Sequence, residues 1–259
     1  VDFSNRWNAL GDSPKIRDVA SRNIPLIVLN AESEATYEPV VYNLSVDSDS
    51  IKKTLQYMFD GMGGSGEFAY SVVGGNEFHQ KVINWALEDY PGITATSIQA
   101  EFDGVALAEG NITQVFVENP NLKAIWSDEY IPNLFWGVSF LESTPLPFIN
   151  CEPKAETFTY WKERLDSEKT WHCISTIQPG GTGYEGVYVA YYLATGEQID
   201  PDALGGIYGN TLVYDYPFIT NENLSEWMDK SESFRMNDWG GYTIPPMTPE
   251  EIKEKWFLE

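Results

Sequence analysis

Histidine, cysteine and basic residues are all scarce in this chain of 259 residues. It has two histidines, two cysteines, and 16 Lys plus Arg against 39 Asp plus Glu, a formal net charge of -23. A surface this acidic repels polyanions, which excludes nucleic acid as a partner. Two cysteines cannot frame a disulfide-built fold, and with no CxxC pair or Cys/His cluster structural zinc is excluded too. Whether Cys151 and Cys173 pair is left open by the sequence. His79 and His172 have no helically spaced histidine partner, so no metal or cofactor site is expected. No apolar run reaches the roughly 18 residues a membrane-spanning helix needs. The polar start, VDFSNRWNALGDSPKIRDVA, carries no secretory leader pattern and reads as a mature or trimmed chain.

What is present is a 42% hydrophobic composition, enough for a sizeable core in one elaborate domain or two lobes. The elements alternate. IPLIVLN (24–30) is a near-continuous apolar strand, the kind buried on both faces of a parallel sheet. DSIKKTLQYM (49–58) has helical periodicity, EFAYSVV is a buried strand, and 77–90 a helix with apolar residues three and four apart. TATSIQAEF, LKAIWSD, LPFIN and TWHCISTIQ follow as strands, with helices around 105–118, up to 140 and around 158–165. Repeated strand-helix alternation predicts a doubly wound α/β architecture. In such sheets ligands sit beyond the carboxyl ends of the strands, so the candidates are strand-end residues: Asn30, 74–79, Phe102-Asp103, Ser127-Asp128, Asn150 to Glu152, and Gln178.

Several motifs have simpler readings. Gly61 to Gly66 fits GxGxxG but lies after a helix and before a strand, the reverse of the dinucleotide context, and reads as a turn. Gly181 to Gly186 has the right context, yet Asp200, at the distance of a ribose-binding acid, sits in a polar turn. Asp47-Ser48-Asp49 lacks the later ligands of a calcium loop and reads as a helix start. Trp85, Trp136 and Trp161 fit core positions. Trp7 and Trp126 fall nearer loops or strand ends, where a ring can pack in the core or stack on a sugar.

Taken together, IPLIVLN, GEFAYSVVGGNEFHQKVINWALEDYPGI, AEFDGVALAEGNITQVFVENPNLKAIWSDE, STIQPGGTGYEGVYVAYYLATGEQID and PFITNENL resemble, in order and over nearly the whole chain, the type I periplasmic sugar-binding proteins of ABC transporters, the ribose-binding-like group. The resemblance implies two Rossmann-like lobes with parallel sheets and a three-crossover hinge, with 1–44 and 179–212 in the first lobe and 45–178 and 213–259 in the second. Family members carry further strand-helix units before IPLIVLN, so the first lobe is expected to be incomplete. The implied ligand contacts are Asn30, where the family often has Asp; Phe102, matching a stacking ring; Ser127 and Asp128, matching an Asn-Asp pair; Asn150, matching a strand-end Asp; and Gln178, matching a cleft Gln. His79 falls where an arginine usually clamps the sugar, and with the Asn-for-Asp changes this departs from pentose specificity. The resemblance further implies a non-enzymatic monomer that captures a small-molecule sugar in an interlobe cleft and delivers it to a membrane permease. Its place would be the periplasm or outside the cell, with a lipid anchor on a missing N-terminus as one form. A signalling ectodomain shares the fold. A glycoside hydrolase would need two facing carboxylates roughly 5 to 9 Å apart.

Overall fold

The computed structural model describes residues 14–29, 32, 41–72, 76–98, 109–128, 131–139, 141, 146–167, 171–230, 235–237 and 241–258. The sequence-expected Asn30 and Phe102, and Trp7, lie outside them. In chain order the elements are α1 (Pro14–Ser21), β1 (Leu26–Leu29), β2 (Val41–Ser45), α2 (Asp47–Gly61), β3 (Ser65–Ser71), α3 (Glu77–Leu87), β4 (Gly92–Ile98), α4 (Glu109–Glu118), β5 (Leu122–Ser127) and α5 (Ile131–Ser139). Then come β6 (Phe148–Asn150), α6 (Ala155–Leu165), β7 (His172–Thr176), β8 (Gln178–Pro179), α7 (Thr182–Ala194), β9 (Leu204–Gly205) and β10 (Thr211–Val213). The chain ends with β11 (Phe218–Ile219), α8 (Leu224–Lys230), β12 (Arg235–Asn237), β13 (Gly241–Ile244) and α9 (Pro249–Trp256).

The chain divides into two compact units. One comprises 1–50, 178–216 and 244–259, the other 51–177 and 217–243. In the first, the strands run β1-β2-β10-β9, with β1, β2 and β10 parallel and β9 antiparallel at the edge. In the second they run β11-β7-β6-β5-β3-β4, parallel from β7 to β4, with β11 antiparallel on β7. This is the α/β, parallel-sheet class that the alternation predicts. β5 becomes wholly buried from Ala124 onward, whereas edge strand β4 alternates exposed and half-buried residues along much of its length.

Two local outcomes depart from the sequence reading, and a third settles a point it left open. The segment 244–258, expected in the second lobe, packs in the first unit. Thr248 and Glu251 form a capping box with Pro249 in the first turn of α9, which buries Ile252 and Trp256 in one core with Leu44, Val189, Leu212 and Tyr214. Residues 41–45 form β2 inside that unit's sheet, across the 44/45 boundary expected between the lobes. The chain instead leaves the unit within α2. Cys151 and Cys173, left open by the sequence, are joined in a disulfide, because parallel pairing of β6 and β7 brings Ile149 opposite Cys173 and Asn150 opposite Ile174.

The glycine motifs serve backbone and packing. Gly63, Gly64 and Gly66 all have positive φ (76°, 70° and 126°), as the turn from α2 to β3 requires. Gly186 packs so close to β1 that a Cβ there would stand 2.6 Å from Leu29 Cδ2. Asp200 caps a short 3-10 turn, accepting a bond from the Asp202 amide, so it closes a turn as its polar surroundings suggested.

Candidate functional site

In the second unit the chain runs from β3 outward to β4, then crosses back to β5 on the other side of β3 and continues through β6 to β7. The direction of winding therefore reverses between β3 and β5. At such a switch point the connections leave the carboxyl ends of the two strands in opposite directions, opening the place where α/β sheets bind ligands.

Four of the sequence-predicted residues, His79, Ser127, Asp128 and Asn150, converge there. α3 starts beside β3 because Asn76 caps it: its Oδ1 accepts from the amides of Phe78 (3.1 Å) and His79 (3.4 Å). That places His79 in the first turn. Asp128 follows β5, and its amide donates to the Ser71 carbonyl at the end of β3 (3.2 Å). His79 Nδ1 and Asp128 Oδ2 are 2.8 Å apart. A carboxylate only accepts, so Nδ1 carries the hydrogen of this bond. Asn76 Nδ2 lies 3.2 Å from the same nitrogen. The Trp126 ring stands edge-on to the imidazole, centroids 5.9 Å apart at 86°. Trp126 is 4% exposed, so it backs His79 from within the core and offers no open face for stacking.

Ser127 and Asn150 are joined in a different manner. Asn150 Oδ1 accepts from the Ser127 amide (3.0 Å) and its Nδ2 donates to the Ser127 carbonyl (2.7 Å). Both amide atoms of Asn150 thus extend the β5-β6 pairing past the last ladder residues. Ser127 is fully buried. Gln178 is exposed in β8, in the first unit.

Two further residues contribute, Asn76 from within the 74–79 segment already singled out and Ser71 from outside every candidate stretch. Asn76 was legible as an N-cap, an Asn just before a helical stretch, although nothing indicated its reach toward His79. Ser71 had no signal at all. It is fully buried at the end of β3, and its Oγ has no hydrogen-bond partner among the described residues.

The first unit has buried carboxylates of its own. Glu32 accepts from the Ser48 amide (2.9 Å), the Ser48 hydroxyl (2.7 Å) and the Ile207 amide (3.3 Å), and burial pushes its carboxyl above the ordinary carboxylate value. Glu185 accepts from the Tyr214 hydroxyl (2.5 Å) and the Met247 amide (2.8 Å), tying α7 to the segment before α9. Burial and the adjacent Glu185 carboxylate raise the Tyr214 phenol. A cavity of about 340 Å³ beside this pair is lined by Ile244, Pro245, Met247, Asp215 and Lys255, and by none of the predicted residues. Among the described residues no group of three or more His, Cys, Asp or Glu is placed to hold a metal, and no helix is long and apolar enough to cross a membrane. His172 stacks on Phe148 (4.4 Å), and burial lowers its pKa, as fits a strand residue.

No family model matches the sequence, and no curated protein does. Solved structures do match the fold. An ABC transporter solute binding protein from Thermobispora bispora is 14% identical with a TM-score of 0.62, over 93% of this chain and 70% of that one. A glucose-galactose binding protein from Geobacillus stearothermophilus is 14% identical with a TM-score of 0.58, over 82% and 72%. An ABC transporter solute binding protein from Agrobacterium vitis, bound with α-D-tagatopyranose, is 15% identical with a TM-score of 0.54, over 82% and 72%. The chain therefore has the fold of the type I periplasmic binding proteins and spans about seven-tenths of the length of these neighbours.

Proposed function

We propose that the chain is the solute-binding component of an ABC importer, capturing a neutral sugar and delivering it to a membrane permease. The observation that carries this reading is the convergence of His79, Asp128 and Asn76 at the β3-β5 switch point. Hydroxyls of a sugar both donate and accept, which suits a partly exposed imidazole. His79 and the sequence-expected Asn30, Phe102 and Gln178 are its proposed ligand contacts, while Ser127 and Asn150 hold the strand ends in place. The Cys151–Cys173 disulfide supports a periplasmic or extracellular setting, where such bonds persist. The working form is a monomer, and the protein binds its ligand without transforming it.

Titration calorimetry and thermal melting with D-glucose, D-galactose, D-allose, D-tagatose, D-arabinose and D-ribose test the reading. A ligand at a hundredfold excess over its Kd stabilises the folded state by about 2.7 kcal/mol. For a chain of this size that raises the melting temperature by about 5 to 10 °C. Silence across the whole panel, or cleavage of oligosaccharides, overturns the assignment.

A further inference from the structure

We propose that Asp128 is a positioning residue, acting on the ligand only through His79, and that the pair selects a neutral polyhydroxy ligand over an acidic sugar. This rests on the sugar-binding reading above and departs from the direct carboxylate contact that the sequence implied. Exposure decides between the two roles. The Asp128 side chain is 1% exposed and the His79 side chain 18%, so a ligand arriving at the switch point can touch the imidazole while the carboxylate stays behind it. The carboxylate is engaged at 2.8 Å by Nδ1, which fixes the tautomer and turns the ring. The Trp126 edge and the Phe78 ring (5.6 Å, 53°) restrict the ring plane further. Asp128 is itself held, its amide bonded to the Ser71 carbonyl.

With Nδ1–H committed, Nε2 is the ring's remaining polar atom. It accepts from a hydroxyl when the imidazole is neutral and donates to the hydroxyl oxygen when it is protonated. A sugar hydroxyl satisfies either state. The charge of the pair sums to zero or to minus one, so a sugar carboxylate finds no net positive partner here, unlike at an arginine clamp.

The test is a double-mutant cycle read by calorimetry with the tightest-binding neutral sugar of the panel, using His79→Ala, Asp128→Asn and the double variant, with His79→Gln as a second replacement at that position. Each single change is expected to weaken binding about tenfold or more, and Asp128→Asn is expected to add less than about twofold on the His79→Ala background. Nitrogen-15 NMR of the wild-type imidazole, which needs no variant, is expected to show Nδ1 protonated, and Asp128→Asn to shift that tautomer balance. Additive losses would mean that Asp128 touches the sugar itself and would overturn the positioning role, as would an Nε2-protonated neutral ring in the wild type. D-galacturonate binding as tightly as D-galactose would overturn the selectivity. If no sugar of the panel binds, the functional reading falls and this inference falls with it; a sugar that binds with additive losses removes the inference alone.

Discussion

Replacing Asn150 by alanine separates a strand-end support from a ligand contact more sharply than any other single change. Its amide makes two bonds, from the Ser127 amide at 3.0 Å and to the Ser127 carbonyl at 2.7 Å. Ser127 is fully buried and Asn150 only 7% exposed, so alanine leaves a backbone donor and a backbone acceptor unpaired at the end of β5. Each orphaned group costs ~1 to 3 kcal/mol, giving a loss of about 2 to 5 kcal/mol once entering water offsets part of it. At about 2 to 4 °C per kcal/mol, the melting temperature should fall by about 4 to 20 °C without any ligand present. Asn150→Asp is the informative companion. It keeps an acceptor for the Ser127 amide but sets an oxygen against the Ser127 carbonyl, so at neutral pH it should melt no higher than the alanine variant. Scanning calorimetry on the unliganded protein reads both. A melting temperature within about 1 °C of wild type, combined with lost sugar affinity, would show that Asn150 faces ligand and that its bonds to Ser127 contribute nothing.

Two further outcomes test the first unit. Trp256→Ala empties a site 1% exposed, where the indole meets Tyr214 edge-on at 5.2 Å, and should cost about 3 to 5 kcal/mol in chemical denaturation; an unchanged midpoint would place 244–258 outside that core. Burial, with Asp47 adding to it, holds the Glu32 carboxyl above its ordinary value despite its bonds to Ser48 and Ile207, so the folded state favours the protonated form. That contribution is fully present below the ordinary carboxylate range and lost as pH rises through the raised value. The stability of wild type relative to Glu32→Gln should therefore decline as pH rises from the ordinary carboxylate range upward, and a flat or rising difference would refute it.

The sequence alone determined the alternation of strands and helices, because apolar periodicity and caps are local properties. EFAYSVV followed by an Asn-capped helix, and LKAIWS as a run buried toward its end, are readable without knowing what lies beside them. It also located the strand-end residues, since the switch-point rule depends on element order. Only the tertiary structure decided what those residues touch. That Asp128 bonds His79, and that the Asn150 amide is spent on Ser127, depends on neighbours 49 and 23 residues away in the chain. The Cys151–Cys173 bond was undecidable from spacing, because two cysteines 22 apart meet only when their strands pair in register. The destination of 244–258 was equally hidden. An amphipathic helix announces that it must bury Ile252 and Trp256, but apolar burial is non-directional, and which core receives them is settled by packing against Leu44, Val189 and Leu212.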